Sequence, residues 1–147
     1  MCLIIGIVGC SNDKLAGDIN VTWDPDGRSY KAIVNDKDGT PTYTIDFAKN
    51  VLALLETKKW GLYNMVCGGQ TSREEVCREL LRILNLSDKV NINLVSSDFF
   101  AKEYFAPRPP CERLTNKRLD LIDCNRMRNW KVSLKEYIED YYSDLKY

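Results

Sequence analysis

Apolar residues run without interruption from Cys2 to Ile5 and, past Gly6, to Val8, an isoleucine-rich pattern that predicts a strand covered on both faces, ended by Gly9. From Ser11 to Arg28 the chain is polar, and Pro25-Asp26-Gly27 inside "TWDPDGRSY" marks a turn closing a hairpin. "KAIVND" predicts a short strand. In the "KDGTP" turn that follows, Gly39 can take positive φ while Pro41 holds Thr40 extended. Ala48, Val51, Leu52 and Leu55 then recur at helical spacing and predict one buried face, with Thr44 as N-cap and Asp46 placed favourably against the helix dipole.

"WGLYNMVCGG" reads as a strand ended by glycines. "TSREEVCRELLRIL" reads as a helix in which Thr71 and Glu74 form a capping box and Val76, Leu80, Leu81 and Leu84 make the apolar stripe. "KVNINLVSS" alternates as a strand with Val90, Ile92 and Leu94 on one face, and "SDFFAKEYF" as a short helix capped by Ser97 and stopped by "APRPP". A last helix places Trp130, Leu134, Tyr137, Ile138, Tyr141 and Leu145 on one side. Short strands alternating with helices give an α/β class of α+β character, divided into an atypical segment 1–32 and a domain 33–147.

Composition narrows the functions. The chain has 147 residues, one domain's length, and 21 Lys plus Arg balance 21 Asp plus Glu, so no global field draws it to nucleic acid or an anionic membrane. Cys2, Cys10, Cys67, Cys77, Cys111 and Cys124 show no C-x-x-C spacing and read as reduced thiols, mostly in the core. There is no histidine, which excludes every mechanism needing an imidazole base and any mixed Cys/His metal site. The N-terminal apolar run lacks a basic flank and falls short of the roughly 20 residues of a membrane span, so the expectation is a cytoplasmic protein.

Candidate chemistry is sparse. Gly6-Ile7-Val8-Gly9 lacks the third glycine and the following helix of a dinucleotide fingerprint, and reads more simply as a strand and loop. Tyr142 and Lys146 have Y-x-x-x-K spacing but extend an amphipathic stripe at the chain end. Arg108 and Arg113, on a proline-rich loop, offer forked donors to a diphosphate. Thr40, Thr42, Tyr43 and Thr44 set hydroxyls at a helix start, suited to a sugar or phosphate. The acidic pairs Glu74–Glu75 and Glu139–Asp140 read as solvated helix faces.

Four blocks in order, "VNDKDGTPTYTIDFAKNVLALLE", "GLYNMVCGGQTSREEVCRELLRIL", "PRPPCERLTNKRLDL" and "NWKVSLKEYIEDY", resemble the C-terminal part of dTDP-4-dehydrorhamnose reductases, extended short-chain dehydrogenases of nucleotide-sugar metabolism. The resemblance covers roughly residues 33–141. It implies that the G-x-P-T-x-x-x-D-x-A corner and the arginine-proline loop enclose a dTDP-sugar, making Thr42 and Arg108 substrate-binding, with Pro41 and Tyr43 shaping the corner. The family's glycine-rich cofactor motif and catalytic Tyr-x-x-x-Lys have no counterpart here. The implied protein therefore has no catalytic residues and no cofactor of its own, NAD(P)H belonging to the full-length enzymes, and is a truncated substrate-binding portion, inactive alone. The competing expectation is a non-catalytic module that associates with itself, a full-length reductase or a Rossmann-containing partner chain.

Overall fold

The computed structural model describes residues 29–100 and 109–142. The predicted N-terminal strand, the 22–30 hairpin up to Arg28, Gly6 to Gly9, Arg108, Leu145 and Lys146 lie outside the described residues.

Strand β1 (Ser29–Val34) pairs in parallel with β2 (Val90–Val95), in register from Ser29 opposite Val90 to Val34 opposite Val95. Between them run α1 (Thr44–Glu56) and α2 (Arg73–Ile83), and after them a 3-10 turn (Ser97–Phe100), α3 (Lys117–Leu121) and α4 (Trp130–Tyr141). The mixed α/β class is as expected. Asp36, just beyond β1, accepts from the Ser97 N–H (3.1 Å) and hydroxyl (2.8 Å), so Ser97 ties the two strand ends together. The two bonds hold the Asp36 carboxyl below its usual range.

The core is built where α2 meets α4: Val76, Leu80 and Leu84 pack with Trp130, Leu134 and Ile138 around Tyr43 and Cys67. Leu80 and Ile138 are fully buried, each contributing about 1.5–3 kcal/mol by leaving water. The stripes expected of α2 and α4 face this core, except that Tyr141 is exposed at the helix end. Cys67, Cys77 and Cys124 are buried and in no disulfide, whereas Cys111 is exposed.

Helix α1 departs from expectation. Its buried positions are Asp46 and Asn50, while Leu52 is 64% and Leu55 49% exposed, and Ala48 is exposed and Val51 half-buried. The cause is polar: the Asn50 amide donates to the Cys124 carbonyl (3.1 Å) and accepts from the Arg126 N–H (2.5 Å), and Asp46 is held by α4. An unpaired buried amide or carboxylate costs more than an exposed leucine, so these bonds set the rotation of the helix.

Other corrections are local. Tyr43, not Thr44, is the N-cap of α1, and it offers no side-chain acceptor. The capping box of α2 is Ser72–Glu75 rather than Thr71–Glu74: Ser72 Oγ accepts from the Glu75 N–H, and Glu75 Oε2 accepts from the Ser72 N–H. Thr71 is buried and Glu74 pairs with Arg78 at 2.8 Å. Leu94 of β2 is 39% exposed, so its predicted face is not uniformly covered. The "WGLYNMVCGG" segment forms no strand: its backbone pairing is a single parallel bridge at Gly68, whose N–H donates to the Arg128 carbonyl (2.9 Å) and whose carbonyl accepts from the Trp130 N–H (3.0 Å). A buried side chain takes the place of a partner strand, as Asn116 accepts from the Val66 N–H (3.0 Å) and donates to its carbonyl (2.8 Å). At the segment's end Gly69 adopts φ +92°, and a Cβ there would lie 2.9 Å from Trp130 Cδ1, so only glycine fits.

Candidate functional site

The β1–α1 corner is stitched to its surroundings from both sides. Gly39 N–H donates to the Thr71 carbonyl (3.2 Å) and Thr40 Oγ1 to that of Gly69 (3.0 Å). On the other flank Asp38 N–H donates to Pro110 (2.8 Å), and Glu112 N–H to Asp38 (2.9 Å). These bonds fix a corner whose φ/ψ is already narrowed by Pro41.

The corner forms one wall of a cavity of about 310 Å³. Trp130, Leu134 and Tyr137 of α4 form the facing wall, and Arg73 and Val76 of α2 close one end. Of the substrate residues implied by sequence, Pro41, Thr42 and Tyr43 all line this cavity, together with Thr40 and Thr44. Arg108 falls outside the described residues. Arg113 does not line the cavity: its guanidinium pairs with Asp38 (3.0 Å) and meets Gln70 (3.5 Å).

Beneath the floor, Asp46 receives Arg128 through Nε (2.9 Å) and the Ser133 hydroxyl (2.6 Å), and Arg128 Nη1 donates to Glu136 (2.5 Å). Arg128 Nη2 also sits 2.7 Å from Asp46, an ion-pair contact without hydrogen-bond geometry. The Cys67 thiol donates to Ser133 Oγ (3.7 Å) and ends the chain of contacts. The arginine holds the Glu136 carboxyl below its usual range, and the two carboxylates raise the guanidinium in return, the Glu136 bond contributing most. Sequence reasoning missed this network, although Asp46 belonged to the G-x-P-T-x-x-x-D-x-A pattern.

The aromatic wall is neutral at physiological pH. Tyr43 meets Tyr137 edge to face, with centroids 6.0 Å apart, and its buried hydroxyl has no partner among the described residues. Burial raises its phenol. Tyr137 is pushed up to about 12 by burial and by its bond to the Tyr142 hydroxyl. Neither is suited to act as a base near neutrality; the wall offers ring faces.

A family model described as the RmlD substrate binding domain matches residues 26–143. The chain belongs to that family. This RmlD-type domain superposes on a solved dTDP-4-dehydrorhamnose reductase of Clostridium acetobutylicum with TM-score 0.70 and 32% identity, covering 78% of this chain and 39% of the other. A Bacillus anthracis reductase, solved in complex with NADP, gives TM-score 0.70 and 26% identity over 78% and 40% of the two chains. It is also 26% identical over 108 residues to the spore coat polysaccharide biosynthesis protein SpsK of Bacillus subtilis, covering 74% of this chain and 36% of SpsK. The chain thus spans about two-fifths of the length of these relatives.

The β1–α1 connection of the RmlD-type domain lacks a dinucleotide fingerprint. The β1–α1 connection carries a single glycine, Gly39, where a pyrophosphate cradle needs closely spaced glycines at a helix start. Among the described residues there is also no group of three His, Cys, Asp or Glu that could hold a metal, and no helix long and apolar enough to cross a membrane.

Proposed function

We propose that this chain is the substrate-binding portion of a dTDP-4-dehydrorhamnose reductase-like nucleotide-sugar oxidoreductase, acting in the cytoplasm. Residues 33–147 form the binding domain, Thr42 and Arg108 contact the dTDP-sugar, and Pro41 and Tyr43 shape its pocket. The observation that carries the reading is the cavity walled by the Gly39-Thr40-Pro41-Thr42 corner on one side and by Trp130 and Tyr137 on the other. Its volume of about 310 Å³ is at the lower end of small-ligand sites, adequate for part of a nucleotide sugar, with the remainder held by another part of the enzyme. In this reading the isolated chain does not reduce the sugar, because the cofactor site that aims the nicotinamide belongs to the full-length enzymes.

Calorimetric titration with dTDP-rhamnose tests this. Saturable binding, weakened in Thr42→Val and Arg108→Ala and unaccompanied by NADPH turnover, is expected. Absence of heat from the folded wild-type chain would sink the reading.

One observation favours a second reading. On the outward face of α1, Phe47, Leu52 and Leu55 are exposed, as are Trp60 (74%) and Leu62 (85%) just after the helix, and clustered exposed apolar side chains favour a docking surface. In this reading the chain is a non-catalytic module that docks a full-length reductase or another enzyme subunit on that face and adjusts its activity. Co-elution with a full-length reductase and a change in that enzyme's rate would support it, and an unchanged elution volume on mixing would count against it.

A further inference from the structure

Resting on the substrate-binding reading, we propose that Arg73 receives the diphosphate of the nucleotide sugar and so selects phosphorylated ligands for this cavity. The charges around the cavity single it out. Asp38 is neutralised by Arg113, and Lys37 and Glu112 each have an interaction of their own. Arg73 is the arginine among the residues lining the cavity, and no ion pair or side-chain hydrogen bond engages it among the described residues.

Its position is also unfavourable for the helix that carries it. Arg73 is the first residue of α2, where the positive end of the dipole disfavours a cation, so the residue is not there to stabilise α2. A side chain that breaks a local rule without a local gain marks a functional position. The Cα is nonetheless held firmly: the Arg73 N–H donates to the Lys37 carbonyl (3.3 Å), and the Ser72–Glu75 capping box fixes the helix start. A forked donor on a fixed stem matches phosphate oxygens, while the neutral rings of Trp130 and Tyr137 flank the uncharged part of the ligand.

The test is calorimetry of wild type, Arg73→Ala and Arg73→Lys with dTDP-rhamnose, dTDP, thymidine and inorganic pyrophosphate, with thermal melts of each variant. Arg73→Ala is expected to weaken the three phosphate-bearing ligands by about 10- to 100-fold, with partial recovery in Arg73→Lys. Thymidine binding and the melting temperature stay unchanged, which a merely structural role would not allow. Equal affinity of wild type and Arg73→Ala for dTDP-rhamnose overturns the assignment and leaves the substrate reading standing. Pyrophosphate binding that depends on Arg73, without any binding of dTDP-rhamnose, keeps the anion site and removes the substrate reading. No binding by any ligand removes both.

Discussion

Replacing Arg128 by methionine exposes how much the fold depends on one buried carboxylate. Asp46 is only 3% exposed, and its partners are Arg128 and the Ser133 hydroxyl. Methionine preserves much of the apolar stem of the arginine but leaves the carboxylate with Ser133 alone. Breaking a buried pair in this way costs 3–5 kcal/mol, and because the Arg128 side chain is 34% exposed, water can reach the site and the lower end, about 3 kcal/mol, applies. For a chain of this size that is a fall in Tm of about 10 °C, with a lower urea midpoint and an unchanged m-value. The double variant Asp46→Asn/Arg128→Met recovers at least half of the loss, since a neutral amide keeps Ser133 as a partner. Glu136 adds a pH signature. Its folded pKa is lowered by Arg128, so it contributes stability above its ordinary value of 4.5 that is lost as the pH falls below it, and this acid loss is shallower in Arg128→Met. A Tm shift below about 3 °C, or a double variant that loses the sum of both singles, would refute the argument.

Two further outcomes are expected. In a spectrophotometric titration one tyrosine ionises near pH 12 and is missing in Tyr137→Phe; because its folded pKa is raised from 10.0, the wild-type chain loses stability as pH rises from 10 towards 12, and the variant loses less, equal alkaline curves excluding the assignment. Ser72→Ala costs about 1 kcal/mol in urea unfolding whereas Glu74→Ala costs under about 0.5, and the reverse order would restore the Thr71–Glu74 cap.

What could be read from the chain and what could not divide along a physical line. Helices α2 and α4 were legible because Val76, Leu80, Leu134 and Ile138 recur at helical spacing and burial follows that spacing. Helix α1 was equally periodic, yet periodicity says which face is apolar and not which way it turns; Asp46 and Asn50 turned it, through partners 74 to 87 residues away. The strand predicted at 60–69 failed for the same reason, Val66 being held by the side chain of Asn116 and Gly68 by a single bridge to Asn129. Two overlapping boxes, T-x-x-E and S-x-x-E, differ by one residue, and only the backbone geometry distinguishes them. Of the site, the Pro41-Thr42-Tyr43 corner was visible as turn chemistry, whereas Arg73 was hidden inside the charged run of a helix start, its one signal being a cation where the dipole does not want it.

The parallel pairing of β1 with β2 sets an order on folding. A chain emerging from the ribosome completes β1 at Val34 but must reach Val95 before the strand has its full partner, so the loop-closure entropy falls due only after both intervening helices exist. Helices α1 and α2 form locally and early; Ile33 and Val34 wait for Leu94 and Val95 through about 60 residues of synthesis, about 3 to 12 seconds at ordinary translation rates. That interval, rather than the finished structure, is where this chain most needs a chaperone.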